Sequence, residues 1–68
     1  MRLSARNQIP GTVVDIQKGQ TTAHVRIDIG GGLVLTASVT NESVDELGLA
    51  VGDTATAIIK ASDVMIGK

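Results

Sequence analysis

Apolar and polar residues alternate along several stretches of the chain, and this period of two predicts β-strands. The clearest stretch runs from Thr21 to Ile29, where Ala23, Val25, Ile27 and Ile29 alternate with polar residues. A Thr- and Val-rich stretch from Gly11 to Asp15 precedes it, and Leu33 to Val39 follows it. Gly30 to Gly32 separates the last two stretches. Because glycine readily adopts the positive φ of a tight turn, a hairpin is predicted there.

The apolar spacing becomes helical after residue 40. Ser43 to Glu46 fits a capping box, in which Ser43 accepts from a free backbone N–H and Glu46 reaches back to the cap. Gly48 is a typical helix stop. Alternation returns from Thr54 to Lys60, and Val64 to Ile66 predicts a short last strand. The sequence therefore predicts an all-β fold, a five-stranded OB-like barrel with one short helix between strands three and four, with residues 1–68 as a single domain.

The composition makes a chain of this length difficult to stabilise alone. It has 68 residues, no cysteine and no aromatic residue, which excludes disulfides and a thiolate zinc site. Its core must consist of Val, Ile, Leu and Ala side chains. A domain this small buries only about 60% of the surface that its unfolded chain exposes. We therefore expect the protein to self-associate.

Charge and hydropathy exclude several classes of function. Six Lys and Arg residues against seven Asp and Glu residues give a net charge of −1, and there is no aromatic ring on which a base could stack. Nucleic acid is therefore not an expected partner. The stretch from Met1 to Gln8 has no apolar region typical of a signal peptide, and no segment is long enough to span a membrane. We expect a cytoplasmic protein without a membrane partner.

Two segments combine cations with small hydroxyl residues, Ser4 to Gln8 and Lys60 to Ser62. A tetrahedral oxyanion needs such surroundings, because its four oxygens must receive hydrogen bonds once water is removed. Thr40 to Ser43 lies at the predicted helix start, which also favours an anion. Residue type alone leaves the alternatives open, since Arg6 and Lys60 can be ordinary surface cations and Thr40 to Ser43 a simple cap.

No catalytic or metal site is predicted. Gly30 to Gly32 lacks the Lys-Ser/Thr that completes a phosphate-binding loop. His24 is the only histidine and has no second ligand nearby in the sequence. The acidic residues are scattered and form no acid–base pair. The protein is therefore not expected to be an enzyme or to ligate a metal directly.

Three segments together resemble the molbindins and the related molybdate-binding domains of a transcription regulator and of transport ATPases. The first is SARNQ at 4–8, followed by Gly11 and two valines; the others are TNESVDELGL at 40–49 and IIKASDVMI at 58–66. They occur in the same order and at comparable separations, and they cover almost the whole chain.

This resemblance implies an OB-like barrel that assembles as a hexamer, a trimer of dimers, and binds molybdate or tungstate at subunit interfaces without an organic cofactor. The storage and homeostasis of molybdenum is the implied function. The residues that match the family's anion-binding positions are Ser4, Ala5, Arg6, Lys60, Ala61 and Ser62 in one subunit, with Thr40 and Ser43 from a neighbour. Ala61 stands where the family often has serine. A second class of site is assigned to Thr21 and Thr22.

Two other functions compete with this interpretation. One is a purely structural oligomerisation module, in which the SARNQ and Lys60 segments only join subunits. The other is an OB-type nucleic-acid-binding module, against which the net charge and the missing aromatic residues argue. The sequence does not distinguish molybdate from tungstate, storage from delivery, or the number of ions per oligomer.

Overall fold

The computed structural model describes residues 4–68, so the first three residues of the Met1 to Gln8 stretch lie outside the described part. Four strands form one antiparallel sheet in the order β3-β2-β1-β4. Their bounds are Asn7–Lys18 for β1, Thr22–Gly30 for β2, Leu33–Thr40 for β3 and Thr54–Ile59 for β4. Helix α1, Asn41–Leu47, lies between β3 and β4. The predicted β-rich fold with a short helix after the third strand is confirmed.

Strand β1 is the longest, because it pairs with two different strands along its length. Its first half, Asn7 to Thr12, pairs with β4, and its second half, Thr12 to Lys18, pairs with β2. The strand begins four residues before the predicted start at Gly11. Pro10 is tolerated inside it because the first half has a partner on one side only, so no second ladder requires the missing N–H.

Gly11 and a bulge allow β1 to pass from one partner to the other. A Cβ atom at Gly11 would lie 2.5 Å from Ile27 Cγ2 and 2.6 Å from the carbonyl oxygen of Asp28. Only a residue without a side chain permits this approach. The register with β2 then shifts between Val13 and Asp15, which is a β-bulge. Bulges increase the local twist and bend of a strand.

The core is small and aliphatic. Its fully enclosed members come from the inner faces of β1 and β2 and from the helix: Val13, Ala23, Val25, Ile27 and Val44. Every second residue of β2 from Ala23 to Ile27 is buried, as the alternation predicted. Val44 is the one helical residue that enters this core. The helix therefore covers the sheet through a single side chain, and the rest of it is free to carry polar groups.

The turn between β2 and β3 and the end of the helix both follow the sequence prediction. Gly30, Gly31 and Gly32 have φ values of +94°, +63° and +79°, which side-chain-bearing residues rarely adopt. Gly48 ends the helix in the left-handed conformation, and its N–H donates to the carbonyl of Asp45 at 3.1 Å. The hairpin and the helix stop are thus confirmed.

The predicted capping box is wrong. Thr40, not Ser43, is the N-cap, and its hydroxyl oxygen accepts from the backbone N–H of Ser43 at 3.0 Å. Ser43 lies inside the first helical turn, so the helix starts about one turn earlier than predicted. The reason is that β3 runs directly into the helix, and Thr40 already has the extended backbone that a cap requires, with φ −72° and ψ 150°.

The predicted fifth strand is not formed within the single chain. After β4 the chain makes one 3₁₀ turn, Ala61–Asp63, and the following residues pair with no strand. Val64, Met65 and Ile66, which we name the apolar tail, are 46%, 93% and 90% exposed. The alternating apolar pattern identified a segment able to form a strand, but a strand also needs a partner, and this segment has none in the described part of its own chain.

An open cleft lies between β3 and β4, the two edge strands of the sheet. This β3–β4 cleft has a volume of about 390 Å³. No ladder joins the two strands, so the barrel is not closed in the described residues. The cleft is lined mainly by apolar side chains of β3, β4 and the end of the helix: Val25, Leu35, Thr36, Ala37, Val39, Leu47, Leu49, Ala55, Thr56, Ala57, Ile58 and Ile59.

Candidate functional site

The two cationic segments predicted from the sequence meet at one end of the sheet. Asn7, the first residue of β1, is paired with Ile59, the last residue of β4. Because the strands are antiparallel, Arg6 and Lys60 are the next residues beyond this paired end of the two strands. The Asn7 side-chain Nδ2 donates to the Ile59 carbonyl at 3.1 Å and ties the two strand ends together. Segments 4–6 and 60–62 therefore leave the same corner of the sheet. We call them the strand-end cluster.

Most of the strand-end cluster faces solvent. Ser4, Arg6, Lys60, Ala61 and Ser62 are exposed, and only Ala5 is buried, at 8% exposure. The buried Ala5 anchors its segment against the protein, so the side chains on either side of it point outward. The cluster can thus present two cations and two hydroxyls to a ligand, with no carboxylate within either segment.

In the described part of the chain, no ion pair neutralises the charges of the strand-end cluster. Within residues 4–68 the one salt bridge joins Lys18 Nζ to Asp45 Oδ1, at the far end of β1. Neither Ser4 nor Ser62 makes a side-chain hydrogen bond in the same residues. The 3₁₀ turn holds its shape through the N–H of Asp63, which donates to the Lys60 carbonyl at 2.9 Å. The donors of the cluster therefore remain available to an oxyanion.

The remaining predicted residues form a second group at the helix start. Thr22 and Thr40 are direct partners in the ladder between β2 and β3. The Thr40 hydroxyl donates to the Ser43 Oγ at 2.8 Å, which leaves the Ser43 hydroxyl proton free to donate elsewhere. The carbonyl of Thr21 accepts from the backbone N–H of Asn41 at 2.8 Å. The two predicted site classes, Thr40 with Ser43 and Thr21 with Thr22, are thus neighbours in one chain.

The structure does not bring the two groups together within one chain. The strand-end cluster lies before Asn7, at the start of β1. The helix-start group lies beside the other end of β1, where Lys18 is paired with Ala23. The whole 12-residue strand separates them. Thr40 and Ser43 can therefore meet Arg6 and Lys60 only if they come from different copies of the chain.

Asn41 is a positioning residue that the sequence analysis missed. Besides its backbone bond to Thr21, its Nδ2 donates to the carbonyl of Gly19 at 2.9 Å, so it fixes the β1–β2 turn to the helix start. Its Oδ1 atom is buried without a hydrogen-bond partner in the described residues. An Asn beside a predicted cap is a signal for local hydrogen bonding, but its partner is 22 residues away in the sequence. One sequence does not reveal such a pairing.

A shallow polar depression of about 200 Å³ adjoins the helix-start group. Its lining includes Lys18, Thr22 and His24. Residues 4–68 contain no group of three or more His, Cys, Asp or Glu side chains that could hold a metal ion. In the same part of the chain, no helix is long and apolar enough to cross a membrane.

Comparison with known proteins gives consistent relatives along the whole chain. The TOBE domain family matches residues 3–66. A probable molybdenum-pterin-binding protein of Haemophilus influenzae is 55% identical over 98% of this chain and 97% of its own. A molybdate-binding protein from Sporomusa ovata has a TM-score of 0.94 and 38% identity, with full coverage of both chains.

A third relative is longer. The cytoplasmic molybdate-binding protein ModG, solved with molybdate bound, has a TM-score of 0.91 and 49% identity over 96% of this chain, which spans 46% of ModG. The family model covers nearly all of the chain, and two of the three relatives match it over at least 97% of their own length. The chain therefore belongs to the TOBE domain family and, within it, to the molbindins.

Proposed function

We propose that this protein binds molybdate or tungstate as the intact oxyanion, without catalysis, for storage and homeostasis in the cytoplasm. One observation carries the proposal: β1 and β4 are paired at Asn7 and Ile59, next to Arg6 and Lys60, and both cations are free of ion pairs in residues 4–68. The relatives support it, because two solved neighbours are molybdate-binding proteins and one of these is described as cytoplasmic.

The strand-end cluster has the chemistry that a dianionic tetrahedral ligand requires. Arg6 offers a planar fork of N–H donors and Lys60 a compact charge. Ser4 and Ser62 add hydroxyl donors, and Ser62 compensates for the hydroxyl that Ala61 lacks. Charge-assisted hydrogen bonds of this kind are about twice as strong as neutral ones. The backbone N–H groups of Ala5 and Ala61 complete the donor set in this proposal.

The site is completed, we infer, by a neighbouring subunit of a homo-oligomer. Thr40 and Ser43 lie at the opposite end of β1 from Arg6, so their hydroxyls reach the anion from another copy. The proposed assembly is a hexamer built as a trimer of dimers, each copy folded as one domain over residues 1–68. Thr21 and Thr22 form a second, separate class of oxyanion site beside the helix start.

A pterin–molybdenum complex is the second candidate ligand, because the Haemophilus relative is described as a molybdenum-pterin-binding protein. The chain has no aromatic residue on which a pterin ring could stack. We therefore favour the free oxyanion, with no organic cofactor. The missing aromatic residues also make the test direct: near-ultraviolet absorbance of the purified protein would come from a bound pterin and not from the chain.

Calorimetric titration of the assembled protein with molybdate and tungstate tests the proposal. Binding of both anions is expected, with sulfate at least tenfold weaker because the site fits a larger anion, and phosphate equally weak because its proton needs an acceptor. Arg6→Gln should weaken molybdate binding by about tenfold to a hundredfold, since a charged hydrogen bond contributes roughly 1.5–3 kcal/mol.

The matched control is Arg26→Gln, which removes an exposed cation from the middle of β2, away from the strand-end cluster. It should leave molybdate affinity within about twofold, because a single distant surface charge is largely screened. Equal affinity for Arg6→Gln and the unaltered protein, at the same oligomeric mass, would contradict the assigned site. Absence of binding to either anion would contradict the function itself.

A further inference from the structure

Asn7 lies at the paired end of β1 and β4, from which both cations of the strand-end cluster emerge. It follows Arg6 in the chain and is the ladder partner of Ile59, which precedes Lys60. Its side chain is half-buried, and its Nδ2 donates to the Ile59 carbonyl at 3.1 Å. This bond joins positions 52 residues apart in the chain. The amide of Asn7 is thus directed at the backbone next to Lys60.

The bond from Asn7 is one of two that hold the backbone around Lys60. The Ile59 carbonyl belongs to the peptide group before the Lys60 Cα, and it accepts from Asn7. The Lys60 carbonyl belongs to the peptide group after this Cα, and it accepts from the backbone N–H of Asp63 at 2.9 Å. Because peptide groups are planar, two held planes restrict the φ and ψ of Lys60, which are −66° and 141°. They also restrict the direction in which the Lys60 side chain leaves the backbone.

Two tendencies would loosen this end of the ladder if the Asn7 bond were absent. Asn7 and Ile59 form the last pair of β1 with β4 in the described residues, and the ends of ladders fray because no further pair follows. Arg6 and Lys60 carry like charges, which no ion pair offsets in residues 4–68. Their repulsion favours separation of the two segments. A hydrogen bond across the strand end opposes both tendencies.

We propose that Asn7 is a positioning residue of the oxyanion site, whose side-chain amide holds the Lys60 backbone so that the ammonium group is oriented before an anion arrives. The inference rests on the proposed function and adds a residue that changes affinity without contacting the ligand. Ordering a long lysine side chain on binding already costs free energy. Ordering its backbone as well would add to that cost. Support of this kind from outside the ligand contacts is a general requirement of binding sites.

Asn7→Ala should weaken molybdate binding by about threefold to tenfold, which corresponds to the loss of one neutral hydrogen bond. Gln8→Ala is the matched control, because Gln8 also carries an amide and is exposed, and its side chain makes no hydrogen bond in residues 4–68. This control should change the affinity by less than about twofold. Both variants are titrated calorimetrically as assemblies of equal mass. Equal losses of affinity in the two variants would overturn the proposal.

A double-mutant cycle separates the positioning of Lys60 from a general loss of structure. Lys60→Gln removes the cation, so that Asn7 has no ammonium group to position in this background. Asn7→Ala should then weaken binding by less than about a further twofold, which is within the usual error of additivity. A further loss as large as the loss in the unaltered chain would mean that Asn7 acts on the whole fold, and it would overturn the proposal.

Backbone relaxation measured by nuclear magnetic resonance, without any anion, gives a second and independent readout. Asn7→Ala should lower the order parameter of the Lys60 amide from the rigid value of about 0.85 toward the flexible range below about 0.6, and Gln8→Ala should leave it unchanged. An unchanged Lys60 order parameter in Asn7→Ala would overturn the proposal even if affinity falls. If the unaltered protein binds neither molybdate nor tungstate, the proposed function fails, and lower order at Lys60 in Asn7→Ala would still support the positioning role.

Discussion

Substitution of Gly11 by alanine adds only one methyl group, but it should destabilise the protein strongly. The added Cβ would lie 2.5 Å from Ile27 Cγ2 and 2.6 Å from the Asp28 carbonyl oxygen. Carbon atoms in contact prefer about 3.5–4.0 Å, so the two strands would have to separate by about 1 Å. The Ile27 side chain can rotate, but the Asp28 carbonyl belongs to the backbone opposite Thr12 and cannot move without disturbing the ladder.

The expected magnitude follows from two opposing effects. Overpacking of this kind costs about 1–3 kcal/mol. Alanine restricts the conformations of the unfolded chain more than glycine does, which raises the free energy of unfolding by about 0.4–1 kcal/mol. The net loss of unfolding free energy is therefore about 1–2 kcal/mol. For a domain of this size, each 1 kcal/mol lowers the melting temperature by about 4–8 °C, so a decrease of about 5–15 °C is expected.

The assay is thermal unfolding followed by far-ultraviolet circular dichroism, since the chain has no aromatic residue to report tertiary structure by fluorescence. Protein concentration must be held constant, because assembly makes the melting temperature depend on it. Gly67→Ala is the control, because its Cβ would meet no heavy atom within 4 Å. A Gly11→Ala melting temperature equal to or above that of the control would refute the packing argument.

Three further outcomes are expected. Val44→Ala removes the one helical side chain in the core and should lower the free energy of unfolding, measured by urea titration, by about 2 kcal/mol. Leu47→Ala, at an exposed position of the same helix, should lower it by less than about 1 kcal/mol. Thr40→Ala should lower the free energy of unfolding by about 1 kcal/mol, because the helix loses its N-cap hydroxyl. Thr40→Ser keeps a hydroxyl and should lower it by much less, so equal losses for the two variants would argue against capping. Molybdate at ~100 times its dissociation constant should stabilise the assembled protein by about 2.7 kcal/mol per independent site, and an unchanged calorimetric melting temperature would count against linked binding.

Local sequence patterns predicted those elements that depend on neighbouring residues. The alternation in Thr22–Gly30, the glycines at the β2–β3 turn and the stop at Gly48 each act within a few residues, so their signals can be read directly. The helix start was misplaced because two residues in the same segment can cap. Thr40 is the cap because β3 runs directly into the helix, and where β3 ends is determined by its pairing with β2.

The features that the sequence did not reveal all depend on distant pairing. The exchange of partners along β1, which makes Gly11 indispensable, requires knowledge of which strands are adjacent. Asn41 and its bond to Gly19 join segments 22 residues apart. In the candidate site, too, residue types could be read from the sequence and spatial relations could not. Arg6 and Lys60 could be selected by residue type and family resemblance, but their position next to the paired ends of β1 and β4 follows from the register of these strands.

The missing fifth strand joins the stability of the fold to its proposed function. The core has five enclosed residues, none larger than isoleucine, and a 68-residue chain with no disulfide has few other means of stabilisation. At the same time it leaves an aliphatic cleft open and an aliphatic tail exposed. Association with further copies would bury such apolar surface without any new sequence element. Because the proposed anion site takes Arg6 and Lys60 from one copy and Thr40 and Ser43 from another, the same association would complete its set of donors. On this reasoning anion binding stabilises the assembled form, and a chain that cannot assemble cannot offer all of these donors to one anion.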